Sequence, residues 1–263
     1  MIPKIIHYCW LSGEPYPEKI RNCIASWKEI LPDYEIKLWD MNSFDVNHIS
    51  FVREAISVKK WAFAADFIRL YALYTEGGIY LDSDVLVQKS FDTLLNNDFF
   101  TAVEYHPHVI KENETLSLLK EDGSSIINGK RIPGIGLQAA VIASIPNHPF
   151  IKDAMTWYNE NHFILQDGSF NNTFIAPDVL AMFAVKYGFK FVNEEQHLRN
   201  NMLILPSNII AGDMEFDIDE NTMAIHLTLN SWKPKKNSFL AFIMKKIKYN
   251  RITRKILEWM NKP

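Results

Sequence analysis

Residues 77–87 read GGIYLDSDVLV. Nine of the eleven are Gly, Ser, apolar or aromatic; the other two are Asp82 and Asp84. A β-branched and aromatic run after a Gly-Gly break predicts a buried strand over 79–87. A carboxylate taken out of water costs several kcal/mol unless it is paired or binds a metal. Side chains alternate along a strand, so Asp82 and Asp84 would share one face. Two carboxylates this close repel, and one takes up a proton unless a cation sits between them. Hard divalent cations such as Mn²⁺ or Mg²⁺ favour such oxygens. The alternative is a pair of strand-end carboxylates that face solvent or cap the next turn.

The flanking sequence alternates strands with helices. Strands are expected at 4–11, 34–40, 137–145, 202–206 and 222–227. Helices are expected at 17–31, 50–76, 148–161 and 177–187. Within 50–76, Phe63, Phe67, Leu70, Tyr71 and Tyr74 form an apolar stripe at helical spacing, which Gly77-Gly78 terminates. This order predicts an α/β fold, Rossmann-like, with a mainly parallel sheet flanked by helices. The polar stretch 105–134 reads as a long loop over a site. With 263 residues and 48% hydrophobic content, the chain can bury a sizeable core.

Charge is uneven. Residues 233–263 hold ten Lys and Arg against one acid, Glu258, a net of +9, whereas the preceding residues carry 18 basic and 30 acidic groups. Apolar residues interleave with the basic ones, so 233–263 reads either as an amphipathic helix for an anionic membrane surface or as a packed helix with a basic face. The net charge of -3 leaves no nucleic-acid footprint on the whole chain. Cys9 and Cys23 are read as reduced structural thiols. The first residues lack a signal-peptide pattern and no apolar run is long enough to span a bilayer, so a cytoplasmic location is expected, peripheral on the inner face of the plasma membrane if the tail docks there.

WAFAADFIRLYALYTEGGIYLDSD (61–84), with IPKIIHYCWLSG (2–13), PDYEIKLWD (32–40) and IHLTLNSW (225–232), resembles glycosyltransferase family 32 in order and spacing. Its relatives include yeast-type α-mannosyltransferases and the glucosyltransferase domains of clostridial toxins. The resemblance implies a GT-A fold over 1–232, with 233–263 as an extension. It implies a metal-dependent, retaining transfer of a sugar from a nucleotide diphosphate donor to a saccharide hydroxyl. UDP is favoured over GDP by likeness to the toxin-type and bacterial members. A lipid-linked oligosaccharide for a bacterial surface or capsular polysaccharide would suit the basic tail as acceptor.

The resemblance also distributes roles. Asp84 would bind the metal, Asp82 the ribose or the metal, and His226 would complete the metal set. Ser231 and Trp232 would close over the diphosphate. Asp66 and Arg69, one helix face apart by three residues, would hold hydroxyls of the donor sugar; an ordinary i,i+3 ion pair is the alternative. Tyr80 and Ser83 would belong to the donor site. Trp10 would stack on the base, with His7 beside it or else packed in the core. Gln138 would lie near the anomeric carbon. Segments 105–134 and 171–178 are candidates for acceptor contact.

Two other functions fit parts of the pattern. YLDSDVLV resembles the D-x-D-x-[TV] motif of haloacid-dehalogenase phosphatases, with Asp82 as nucleophile and GDMEFD (212–217) as the acidic motif. That motif normally opens its fold, whereas some 80 residues precede it here. A non-catalytic nucleotide-sugar binding protein would need the same ligand residues without turnover.

Overall fold

The computed structural model describes residues 1–127, 129–212 and 218–229. Met1–Thr228 form one unit. Ser231, Trp232, the basic 233–263 segment and most of GDMEFD lie outside the described residues.

The chain begins with β1 (Ile5–Cys9), α1 (Glu18–Ile30), β2 (Glu35–Trp39), α2 (Ser50–Ser57) and α3 (Trp61–Glu76). Then come β3 (Gly78–Leu81), β4 (Val85–Val87), β5 (Phe99–Tyr105) and α4 (Pro107–Glu112). β6 (Ile135–Leu137), β7 (Val141–Ser144), α5 (Pro149–Glu160) and α6 (Ala176–Ala184) follow, and β8 (Gln196–Leu198), β9 (Met202–Leu205), β10 (Ile210–Ala211) and β11 (Ala224–His226) end the described elements. The main sheet runs β2-β1-β3-β7-β5-β9-β8, with β6 also on β5; a smaller sheet runs β10-β11-β4.

The expected α/β architecture is present, but the main sheet is mixed rather than mainly parallel. β1 pairs in parallel with β2 and β3, and β5 with β9. β7 enters between β3 and β5 antiparallel to both, and β8 turns back on β9. Hairpin-length links such as Arg199–Asn201, between β8 and β9, force antiparallel pairing, since a parallel partner needs a crossover of a dozen residues.

Strand alternation divides the core in two. Tyr80, Phe99 and Ile142 pack on the face that α3, α5 and α6 cover. Ile79, Leu81, Phe100, Val141 and Ala143 pack on the other, with Trp27 of α1. Cys9 and Cys23 are buried and free, and burial pushes both thiols up to about 12, which keeps them inert.

Two expected strands are interrupted. The stretch 79–87 is two strands of different sheets joined by a turn at Asp82–Asp84, closed by Val85 N–H donating to the Asp82 carbonyl (2.9 Å). Asp and Ser favour such turns because their side chains hydrogen-bond locally. The stretch 137–145 breaks at Gln138–Ala140. Between the Val103–Leu137 and Phe100–Ala143 pairs, two residues of β5 face five on the other strand. This bulge is fixed by buried Thr101, whose hydroxyl lies 2.7 Å from the Gln138 carbonyl and 2.8 Å from that of Val141. Bulges are concentrated beside active sites, where they re-aim groups. The stretch 105–134 is not wholly irregular: it contains α4 and a 3-10 turn at Thr115–Leu118.

Candidate active site

The Asp82–Asp84 turn is held from three sides. Asp82 N–H donates to the Ala140 carbonyl of the bulge (2.8 Å). Trp27 Nε1 of α1 donates to the Val85 carbonyl (2.8 Å), and Leu227 N–H donates to the Asp84 carbonyl (3.0 Å). Because β11 pairs with β4 in the register His226–Val85, His226 arrives beside Asp84. Its Nε2 lies 3.3 Å from Asp84 Oδ1 and 4.0 Å from Asp82 Oδ2.

These three side chains each offer one ligand atom, and the atoms lie within 4.8 Å of one another. Two carboxylate oxygens and one imidazole nitrogen suit Mn²⁺ or Mg²⁺, and an open three-ligand set leaves positions for a diphosphate. Without a cation the charges couple to the proton. Burial pulls His226 down, but its hydrogen bond to Asp84 and the charges of Asp84, Asp82 and Glu104 outweigh it, raising its pKa to about 9.

A second layer is built on α3, which Gly77 ends at φ +68°; a Cβ there would lie 2.7 Å from Pro146 Cδ, so only glycine makes this exit. Arg69 is buried, and its Nη2 lies 2.7 Å from Asp66 Oδ1 and 3.5 Å from Asp82 Oδ1. Its Nη1 donates to the Ala139 carbonyl (2.5 Å) and its Nε to that of Ala65 (3.3 Å). The Tyr80 hydroxyl donates to Asp82 Oδ1 (3.0 Å), with Arg69 over its ring at 4.8 Å. Burial drives Asp66 up to about 7, helped by the Asp82 charge and opposed by Arg69. Arg69 thus ties α3, the bulge and the DSD turn together; its guanidinium serves Asp66, Asp82 and two carbonyls rather than standing open to a sugar.

The other expected site residues divide. Trp10 follows β1 half-buried, its Nε1 donating to the Glu14 carbonyl (2.7 Å) and its ring 4.9 Å from that of Tyr16. Ser83 is half-buried at the middle of the turn. Gln138 opens the bulge; its Oε1 accepts from Ala140 N–H (3.1 Å), leaving its amide N–H groups without a partner among the described residues. His7 does not join the site. It is fully buried, Trp39 Nε1 donates to its Nδ1 (3.0 Å), and its Nε2 donates to the Gly77 carbonyl (2.8 Å). Both ring nitrogens are used, so His7 is a core histidine that braces the end of α3.

Three groups at the site escaped the sequence reading: Thr101, the bulge carbonyls and Glu104. No local pattern marks a bulge. FFTAVEY (99–105), which carries Thr101 and Glu104, has the β-branched and aromatic content of a strand, and that signal could have found it.

Residues 17–101, which include the DSD turn, match the model of the glycosyltransferase sugar-binding region containing a DXD motif. An uncharacterized glycosyltransferase of Acanthamoeba polyphaga mimivirus is 28% identical over 66% of this chain and 60% of its own length. Inositol phosphoceramide mannosyltransferase 3 of Schizosaccharomyces pombe is 37% identical over 36% of this chain and 28% of its own. The chain thus spans less than two thirds of these relatives. Among solved structures, a PaToxG glycosyltransferase aligns over 70% of this chain and 69% of its own at 20% identity and a TM-score of 0.49. Residues 17–101 of the chain thus match a glycosyltransferase sugar-binding region that contains a DXD motif, and the relatives that align with the chain are named as glycosyltransferases.

Proposed function

We propose that this chain moves a sugar from a nucleotide diphosphate donor, UDP-linked in the favoured reading, to a hydroxyl of a saccharide acceptor, with retention at the anomeric carbon. The observation that carries the reading is the Asp82–Asp84–His226 group gathered at the turn inside the family's motif. A divalent cation held there would supply Lewis-acid neutralisation of charge on the leaving diphosphate. Asp84 and His226 would hold it. Asp82, fixed by Tyr80 and Arg69, would complete the set or meet the ribose. Trp10 offers a flat face for the base. Asp66 reaches a donor-sugar hydroxyl, while Arg69 acts through it and Asp82. Gln138 directs free amide hydrogens to the reacting centre, and attack comes from the same face as the leaving phosphate, which assists in taking the acceptor proton. Ser231 and Trp232 would close over the diphosphate, as the resemblance implies.

The phosphatase alternative needs Asp82 as a free nucleophile. Asp82 instead receives Tyr80 and Arg69 and stands beside His226. The mannosyltransferase named among the relatives makes a mannosyl donor the main competitor.

The test is melting temperature with UDP, GDP and CMP, each with and without Mn²⁺ or Mg²⁺, on the wild type and on Asp84→Asn. Binding at a hundredfold excess over Kd stabilises by about 2.7 kcal/mol. A metal-dependent rise with one nucleotide, absent in the variant, supports the reading and names the base. No rise with any nucleotide overturns it.

We also assign the basic 233–263 segment to an anionic membrane surface that carries a lipid-linked acceptor. No helix among the described residues is long and apolar enough to cross a membrane. Truncation after Trp232 should abolish sedimentation with phosphatidylserine vesicles at low salt; undiminished sedimentation overturns this part alone.

A further inference from the structure

Glu104 closes the run of β5 beside the bulge, opposite Gly136 of β6. Its Oε1 lies 2.9 Å from His106 Nε2. Its Oε2 is buried and accepts no hydrogen bond among the described residues, the one buried side-chain oxygen or nitrogen there of which this is true. Buried carboxylate oxygens are ordinarily satisfied, so an orphan needs an explanation.

A metal does not provide it. The cation-binding group comprises Asp82, Asp84 and His226, and Glu104 falls outside it. Nor is the oxygen waiting for a nearby basic residue. Arg131, in the 105–134 segment, has its Nε 3.0 Å from Asp178 Oδ1 and is committed to it. Asp178, at the start of α6, in turn accepts from Ile175 N–H at 3.3 Å. The strand partner of Glu104, Gly136, lies against Pro177 at the start of α6, and Gln138, two residues further on, opens the bulge whose Ala140 carbonyl receives Asp82 N–H. This stretch thus links the DSD turn to the start of α6, where the Arg131–Asp178 pair joins the two segments expected to contact an acceptor.

From this we infer that Glu104 is the acceptor-binding carboxylate: its Oε2 receives a hydroxyl of the incoming saccharide and sets which hydroxyl faces the donor. The inference rests on the transferase reading. A neutral donor fits because the surrounding charges are already matched, Asp178 by Arg131 and the DSD pair by its cation and Arg69. A sugar hydroxyl supplies the one missing proton donor. A carboxylate accepts such hydroxyls strongly, and a carboxamide in its place has one acceptor oxygen and no charge.

The experiment uses the full chain, the nucleotide sugar whose base the melting assay identifies, and methyl α- and β-glycosides of glucose, galactose and mannose as acceptor probes. Glu104→Gln and Glu104→Asp are compared with the wild type. The inference expects the nucleotide–Mn²⁺ melting shift to be retained in both variants, while KM for the best methyl glycoside rises about 10- to 100-fold in Glu104→Gln, as loss of a hydrogen bond to a charged group implies. An acceptor KM within twofold of the wild type overturns the inference and leaves the transferase reading standing. Loss of the melting shift together with KM overturns it as well, placing Glu104 in the donor site or in the fold. No transfer by the wild type to any of the glycosides overturns both this inference and the saccharide-acceptor reading.

Discussion

His7 and His226 are both histidines on strands, and the two regions around them use the residue in opposite ways. His7 sits in the middle of β1 with no exposed surface and both nitrogens bonded inside the protein. His226 ends β11, where the small sheet meets the main one, and its Nε2 faces two carboxylates. Burial holds the first below its ordinary pKa, despite the Gly77 carbonyl; carboxylates carry the second up to about 9 against burial. A histidine becomes a ligand where a strand runs out beside unneutralised charge, and a brace where neutral hydrogen-bond partners take both nitrogens. The comparison can be broken or sharpened in four ways.

The largest effect is expected at the carboxylates that define His226's region. Asp84→Asn keeps shape and removes charge, so it should lower sugar transfer on the order of 10³-fold, the scale of a lost electrostatic group at a reacting centre. Stability in metal-free buffer near pH 6.5 should fall modestly, since the charge that holds the His226 proton is gone. Steady-state transfer and thermal melting on the same preparation check both halves. Equal activity would mean that the DSD turn is architecture only.

Next is His226→Gln. It should weaken Mn²⁺ binding about 10- to 100-fold, read as the Mn²⁺ concentration that gives half the nucleotide-dependent melting shift. His7→Gln should leave that concentration unchanged. Its own effect is on folding: a side chain that cannot satisfy Trp39 Nε1 and the Gly77 carbonyl together should cost about 1–3 kcal/mol in urea unfolding, with the m-value constant. If His7→Gln instead shifts the metal midpoint, the two histidines are not separate in role and the comparison fails.

The contrast also shows what the sequence carried. The DSD pair was legible because charge in an apolar run is anomalous by itself. The reason first given for its shared direction, strand alternation, was not the right one: Asp82 and Asp84 flank a turn between two sheets. His226 could be joined to the pair only through resemblance, since no local pattern links residues some 140 positions apart. His7 lay in a plausible block yet belongs to the core, because burial is decided by Trp39 and Gly77, which only folding brings to it. The mixed sheet was hidden for a similar reason. β1, β2, β3, β7 and β9 were readable as strands, but direction depends on how β7 inserts between β3 and β5, and the sheet's Phe99–Tyr105 and Gln196–Leu198 strands were not among those expected. Arg69 shows the intermediate case: the i,i+3 pair with Asp66 was visible in sequence, while its grip on Ala139 and Asp82 required the bulge to form.

The smallest effect, and the one that separates the two regions most directly, is in pH dependence. The folded pKa of His226 is raised above the unfolded value, so its contribution to stability is complete below about pH 6.5 and is lost as pH rises towards about 9. The folded pKa of His7 is lowered, so its penalty is absent above about pH 6.5 and grows as the medium becomes more acid. One proton limits either slope to about 1.4 kcal/mol per pH unit. Urea midpoints of metal-free protein should therefore fall from pH 6.5 to 9, and His226→Gln should flatten that limb alone. His7→Gln should flatten only the limb below pH 6.5. Adding Mn²⁺ should reverse the alkaline limb in the wild type, because the cation requires the imidazole without its proton and binds more tightly as pH rises. A wild-type alkaline limb that ignores Mn²⁺ would show that the His226 proton and the cation do not compete for the same nitrogen.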